Sequence, residues 1–261
     1  MQVEPLAFEV IIPARMGSSR LPGKPLADIH GRPMIAWVYD CAKASGALRV
    51  QIACDHPEIA AAAAACGATA IITRADHPSG TDRLAEVIEQ TGLPDEAVIV
   101  NLQGDEPLMV PALLKQVASL LIAHPASAMA TLMVPITDPA EFADPAVVKV
   151  VVGGGQRALY FSRAAIPHDR DAQCPPGSVL GYRHLGLYAY RAGFIRRFVA
   201  TPVAELEARE KLEQLRALAM GETIVIAEAA AIPPAGVDTP EDLARVRAVL
   251  AQGASCGSGL A

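Results

Sequence analysis

Between Phe8 and Leu26 the chain reads FEVIIPARMGSSRLPGKPL, and the second half of this stretch gathers groups suited to holding an anion. Gly17, Ser18, Ser19 and Gly23 leave main-chain N–H groups approachable, while Arg15, Arg20 and Lys24 bring positive charge and forked or point-like donors for phosphate oxygens. Cations of this kind ordinarily sit solvated on a surface. A glycine-bearing loop directly after an apolar run favours ligand contact instead. Two acids stand out elsewhere, Asp105 in NLQGDEP and Asp238 in GVDTPEDL. Asp105 can act simply as a turn or cap residue, and Asp238 as a helix N-cap. Thr239 and Asp242 can cap that last helix between them, however, which leaves the Asp238 carboxylate free.

Two common phosphate loops are excluded by spacing. The Walker loop has four residues between its glycines and a Ser or Thr after its lysine. Here Gly17 and Gly23 are too far apart, and Pro25 follows Lys24 without a hydroxyl and with a bias against helical geometry at Lys24. A dinucleotide fingerprint needs GxGxxG running into a helix, which neither this loop nor Gly153-Gly154-Gly155 supplies.

The elements that must position these groups follow from periodicity. Val10-Ile11-Ile12 reads as a strand covered on both faces, because β-branched residues succeed one another without polar alternation. Pro33 opens a helix with Ile35, Val38 and Ala42 on one face, ending near Gly46, and the turn DIHGRP precedes it. Strands are expected over 49–54, 70–73, 97–102, 128–136, 182–190 and 223–227. Helices are expected over 57–66, around Leu84, Val87 and Ile88, through Leu113 to Leu121, around 194–199, as one charged helix over 205–220, and from Pro240 to about Leu250. Val147 to Val152 and Ala158 to Ser162 flank a glycine-rich turn and read as a β-hairpin. The alternation implies an α/β fold with a doubly wound, mostly parallel sheet, whose ligands bind at strand carboxyl ends. Both the cationic loop and QGDEP fall at such ends.

The 261 residues are enough for one large domain, taken as 1–250, with 142–190 carrying a smaller β-hairpin lobe and 251–261 a disordered tail. Residues 1–7 read as a loose leader. Five cysteines, an odd number without CxxC spacing, argue against a zinc site or a disulfide framework. No apolar stretch suits a membrane span and the start lacks a signal pattern, so a cytoplasmic location is expected. A net charge of −6 repels nucleic acid and anionic lipid.

PARMGSSRLPGKPL resembles the signature loop of nucleotidyltransferases that activate sugars, and the chain resembles most the 3-deoxy-manno-octulosonate cytidylyltransferases. The likeness continues through TRADHPSGTDRLAEV, NLQGDEP, LYFSRAAIP, RHLGLYAYR, LEQLR and GVDTPEDL, nearly the whole chain to about Leu250. It implies a nucleotide-diphospho-sugar-transferase-like Rossmannoid fold and assigns Asp105 and Asp238 to a magnesium ion, a cation that prefers hard oxygen ligands. By the same resemblance Arg15 and Lys24 hold a triphosphate and offset charge as pyrophosphate leaves, with Ser18, Ser19 and Arg20 as further candidates for the cradle. Arg74, Ser79 and Gly80 match positions near cytosine and ribose. Gln103, Arg163, His184, Tyr188, Glu213 and Gln214 match positions around the sugar acid, although Tyr188 can be core, His184 a satisfied buried histidine and Glu213 an exposed helix residue. Adjacent on a helix, Glu213 and Gln214 point about 100° apart. One departure is His168, where the family commonly has tryptophan, and the loop from Asp171 to Ser178 is short.

The implied reaction is transfer of CMP from CTP to 3-deoxy-D-manno-octulosonate, with magnesium and as a homodimer. A related sugar acid such as sialic acid as acceptor, or a non-catalytic nucleotide-binding module, remains open on the residues alone. Because the whole chain is negative, triphosphate binding must rest on local cations. At a surface-like dielectric one close cation contributes about 4 kcal/mol.

Overall fold

The structure is a computed structural model that describes residues 6–18, 20–171, 174–175 and 177–251. The expected leader lies mostly outside them, and Ser19 and nearly all of the expected tail lie wholly outside.

The chain opens with β1 (Glu9–Ala14), whose Val10, Ile11 and Ile12 are fully buried. A 3-10 turn, Lys24–Leu26, and a two-residue ribbon, β2 (Asp28–Ile29) with β3 (Arg32–Pro33), come next. His30 and Gly31 at the ribbon's tip both have positive φ, 52° and 80°, as a tight two-residue hairpin requires. Then come α1 (Met34–Ala44), β4 (Arg49–Cys54), α2 (Pro57–Ala65), β5 (Thr69–Ile72), α3 (Gly80–Thr91), β6 (Val98–Asn101), α4 (Pro111–Ala123) and β7 (Met129–Ile136). The second half contributes α5 (Pro139–Ala143), β8 (Lys149–Gly153), β9 (Arg157–Ser162), β10 (Gly181–Arg191), α6 (Ala192–Ala200), α7 (Glu205–Glu210), α8 (Gln214–Ala219), β11 (Ile224–Glu228) and α9 (Pro240–Ala251).

Among the described residues, nine strands form one sheet in the order β5-β4-β1-β6-β10-β7-β11-β9-β8. Parallel pairing joins β5, β4, β1 and β6, and again β7 with β11. Antiparallel β10 is inserted between β6 and β7, and antiparallel β9 lies beyond β11. The sheet is therefore mixed, with β9 and β10 running against the others. The β8–β9 hairpin forms as expected, but it is not hydrogen-bonded apart as a lobe: β9 pairs with β11 and β8 with β10, so it extends the main sheet.

Layers cover both faces. Val10, Ile12 and Val100 pack with α1, α2 and α4 on one side. Ile11 and Ile99 pack with α3, α6 and α8 on the other. A third cluster seats α9, through Val246 and Leu250, on Ile29 and Met34 beside the ribbon. Full burial of a Val, Leu or Ile contributes about 1.5–3 kcal/mol, so this last cluster is enough to anchor the C-terminal segment against the start of the chain.

The charged stretch 205–220 is not one helix. Lys211 adopts a left-handed conformation, φ 56°, which ends α7 and starts a new turn at Glu213. No helix among the described residues is long and apolar enough to cross a membrane.

Candidate functional site

The parallel strands β1 and β6 end side by side, and the segments that continue from their carboxyl ends form one wall of a cavity of about 310 Å³. Leu102 N donates to Ile11 O at 3.2 Å, which keeps the two chains together past the end of β6. At Gly104 they come so close that an added Cβ would lie 2.7 Å from Pro13 O. Only glycine fits there, and the close approach sets Asp105 beside the cationic loop. The third piece is the segment before α9. Val237 N donates to Asp105 O at 2.8 Å, and a Cβ on Gly236 would meet that same oxygen at 3.1 Å.

These ties bring the two acids together although they are far apart in sequence. Lys24 Nζ sits between them, 2.7 Å from Asp105 Oδ2 and 3.1 Å from Asp238 Oδ1, and 2.9 Å from Val237 O. Arg20 adds an exposed ion pair to Asp238 at 3.2 Å. Lys24 is aimed by its own turn: Gly23 is left-handed at φ 66°, Lys24 N donates to Leu21 O, and Pro25 is buried. Asp238 is spared from capping, as expected. Asp242 accepts from Asp238 N, Thr239 N and Thr239 Oγ1, and Arg245 beside it helps hold its pKa down at about 2. Arg245 also donates to the carbonyls of Ala235 and Gly236, bracing the segment that carries Asp238.

Arg15, Ser18, Arg20, Lys24, Ser79, Gly80, Gln103, Asp105 and Asp238 all line this cavity. Ser79 also N-caps α3, accepting from Asp82 N and donating to Asp82 Oδ2. Ser18 Oγ accepts from Leu21 N at 3.4 Å, a turn-forming contact. Glu106 is the neighbour of Asp105, and burial followed by the Asp105 charge pushes its carboxyl up to about 8. As hard oxygen donors, Asp105 and Asp238 suit a magnesium ion, which typically takes one or two carboxylates and completes its shell with water and substrate phosphates. Among the described residues no cluster of three or more His, Cys, Asp or Glu offers an all-protein metal cage.

Sequence reasoning missed a buried ion pair beneath the loop. Arg83, on α3, donates to Asp55 Oδ2 at 3.1 Å and to Thr73 Oγ1 at 2.5 Å, while Asp55 Oδ1 accepts Met16 N at 2.9 Å. The pair therefore pins the start of the cationic loop to the ends of β4 and β5. A signal existed: Arg83 falls on the same helical face as Leu84, Val87 and Ile88, and an arginine there needs a partner. His77, paired with Glu86, also lines the cavity and was missed.

The remaining candidates are placed elsewhere. Arg74 is exposed, pairs with Asp76 and Glu86, and lines an outer groove instead of this cavity. Arg163 lies at the end of the hairpin, its Nε and Nη1 donated to the carbonyls of Glu210 and Pro145. Tyr188, Glu213 and Gln214 line a separate small cavity of about 60 Å³ with Met129, Tyr190 and Phe198. The first turn of α3 connects the two spaces: Ser79 and Gly80 line the larger one, while Thr81 Oγ1 donates to Glu213 Oε1 at 2.5 Å. Burial raises the Glu213 pKa against the opposing pull of hydrogen bonds from Thr81 and Ser79.

One face of β10 carries an aromatic file in which His184, Tyr188, Tyr190 and, beyond the strand, Phe194 succeed one another at 5.2 to 6.1 Å between rings. Two extra residues, Gly186 and Leu187, bulge out between the paired positions Leu185 and Tyr188. Because the extra residues number two, the alternation of faces is preserved and His184 and Tyr188 stay on the same side. Thr131 Oγ1 lies 3.0 Å from His184 Nε2 and within 3.0 Å of the carbonyls of Leu185 and Leu187, so its hydroxyl ties the ring to the bulged stretch of β10. Burial pulls the His184 pKa down to about 3, and the ring is neutral at pH 7.

Comparison with known proteins identifies the family. The chain matches the cytidylyltransferase family over residues 9–224. It is 54% identical over 249 residues to the 3-deoxy-manno-octulosonate cytidylyltransferase of Pectobacterium carotovorum subsp. carotovorum (strain PC1), covering 94% of this chain and 99% of the relative. The enzyme of that name from Yersinia enterocolitica serotype O:8 / biotype 1B is 53% identical over 248 residues, with 94% and 99% covered. Among solved structures, CMP:2-keto-3-deoxy-manno-octonic acid synthetase complexed with CTP superposes with a TM-score of 0.86 at 44% identity, covering 94% of this chain and 98% of that one. The fold alone is shared with 4-diphosphocytidyl-2C-methyl-D-erythritol synthase, at a TM-score of 0.59 and 12% identity over 93% of this chain and 97% of that one. On the sequence matches that span it, the chain belongs to the 3-deoxy-manno-octulosonate cytidylyltransferase family.

Proposed function

We propose that the chain transfers CMP from CTP to the C2 hydroxyl of 3-deoxy-D-manno-octulosonate, releasing pyrophosphate. The observation that carries this reading is the meeting of the cationic loop with Asp105 and Asp238 around one cavity at the carboxyl ends of parallel strands. In this reading the nucleotide lies with its phosphates along the loop. Arg15, Arg20 and Lys24 neutralise the triphosphate and the pyrophosphate that departs from it. Asp105 and Asp238 would hold magnesium, which when bound neutralises phosphate charge and polarises the phosphorus under attack. Ser79 and Gly80 face the base and ribose.

The acceptor sugar approaches from the side of Gln103, Tyr188, Glu213 and Gln214, and its hydroxyl attacks the α-phosphorus in line with the leaving pyrophosphate. The small cavity is adjacent to the large one through the first turn of α3, which supports that direction of approach. Arg74 and Arg163 line neither of these two cavities. The chain contributes positioning and charge stabilisation, the two effects that dominate catalysis of phosphoryl-type transfer. We place the homodimer surface on the hairpin, where Leu159 is an exposed apolar side chain. Sedimentation of wild type and Leu159→Asp tests that placement, since an unchanged dimer would remove it.

The test of function is pyrophosphate release from CTP with 3-deoxy-D-manno-octulosonate and with sialic acid, each with and without magnesium. Release that requires the octulosonate and the metal is expected. Release with neither acid, together with retained CTP binding, would leave only a nucleotide-binding module.

A further inference from the structure

An ammonium group has three N–H donors, and those of Lys24 have three acceptors in place: Asp105 Oδ2 at 2.7 Å, Val237 O at 2.9 Å and Asp238 Oδ1 at 3.1 Å. None is left for a phosphate oxygen. Lys24 therefore cannot hold a triphosphate while it keeps these contacts. A cation coordinated by the same two carboxylates would also stand within a few ångströms of the ammonium, where like charges repel strongly. We propose that Lys24 and a divalent cation are alternative occupants of the space between Asp105 and Asp238, and that the nucleotide's phosphates exchange one for the other by drawing Lys24 off the carboxylates. This rests on the proposed assignment of magnesium to those two acids.

Three observations favour the exchange. The main chain at Lys24 is fixed by Gly23, by the contact to Leu21 O and by buried Pro25, so only the side chain has to move, on a four-carbon stem with several staggered rotamers. The ammonium is largely buried, at 14% side-chain exposure, whereas the other cation on Asp238, Arg20, is 64% exposed and contributes little as a solvated pair. Val237 O, finally, belongs to the segment tied to Asp105 O through Val237 N, so the lysine braces all three segments of the site in one contact set. Two carboxylates drawn together need a positive charge between them. Lys24 supplies it until the nucleotide arrives, and the metal enters with the nucleotide, not ahead of it.

The probe is Mn2+, followed by water-proton relaxation enhancement, which responds to the ion on the protein and hardly at all to the small Mn2+–CTP complex. Wild type is expected to bind Mn2+ weakly alone and strongly once CTP is added. Lys24→Met, which keeps the stem and removes the charge, is expected to bind Mn2+ without nucleotide at least tenfold more tightly than wild type. Lys24→Gln is expected to do the same, so either variant that retains a cooperative melt suffices. Adding Asp105→Asn to either should abolish the gain. Equal or weaker Mn2+ binding by the variants, with wild type still binding in the presence of CTP, overturns the exchange and leaves the metal assignment standing. A gain that survives Asp105→Asn also overturns it. No enhancement in any protein, CTP included, sinks the metal assignment and the exchange together.

Discussion

Gly104→Ala places the stress on the junction that assembles the site. The new Cβ would begin 2.7 Å from Pro13 O, a main-chain atom, and ordinary contact begins at 3.4 Å, so the ends of β1 and β6 must separate by about 0.7 Å. The same methyl would be only 3.6 Å from Ala14 Cβ and Ile35 Cδ1, which leaves little room to rotate away. Overpacking of this kind costs about 1–3 kcal/mol, or a fall in Tm of roughly 2–12 °C for a chain of this size. The larger effect is on Asp105, the next residue, which shifts relative to Lys24 and the loop. Misplacement on the order of 1 Å costs up to about 100-fold in rate, so kcat should fall about tenfold or more. Gly153→Ala is the control: its Cβ would meet Leu159 at 2.9 Å, but only at the mobile end of an exposed side chain. Pyrophosphate-release kinetics and thermal melts of the two variants check the comparison. If Gly104→Ala kept wild-type kcat and Tm, or if the two variants fell alike, the claim that this junction sets the geometry of the site would be refuted.

Asp105→Asn and Asp238→Asn should each lower kcat by about 100-fold or more, the equivalent of roughly 3 kcal/mol, with unchanged far-ultraviolet circular dichroism. Near-normal turnover in both would remove them from the chemistry. Arg83→Met strands the Asp55 carboxylate and should cost about 3–5 kcal/mol in urea unfolding, as breaking one side of a buried pair does. Lys149, fully buried and donating to the carbonyls of Asp144, Val147 and Arg163, should lose several kcal/mol as Lys149→Met, because each orphaned carbonyl costs about 1–3 kcal/mol. His184 has a folded pKa of about 3, below its unfolded value of 6.5, so its contribution to stability is present above pH 6.5 and is lost as pH falls toward 3. The slope from this one group is at most about 1.4 kcal/mol per pH unit, and His184→Asn should flatten that part of the acid-unfolding profile. An unchanged profile would show that the imidazole is not held neutral.

The parts of this molecule that were legible in the sequence are those where one signal dominates. Val10-Ile11-Ile12 has no polar alternation, and it is a strand covered on both sides. Thr239 and Asp242 were sufficient to cap α9, and Asp238 is free of that task. The reversal of β10 was not legible, since an apolar strand reads the same whichever way it runs between its neighbours, and direction is decided by which partners the connections reach. Nor was the break between α7 and α8, because Lys211 is an ordinary helix former whose left-handed conformation is imposed by packing, with Leu212 and Leu215 buried against the sheet. The separation of the candidate residues into a larger and a smaller cavity could not be read either. Gln103 follows β6 and Tyr188 lies on the neighbouring strand β10, yet they line different spaces, and spacing in sequence does not say which way a cavity opens.

Lys24 and Asp238 are 214 positions apart and touch. A ribosome therefore releases most of this chain before the pocket has its last wall, and a nascent fragment ending before Gly236 carries the cationic loop without Asp238 beside it. On the proposed function, a nucleotide met during synthesis would find an unfinished receptor until α9 has docked beside the turn that carries Lys24.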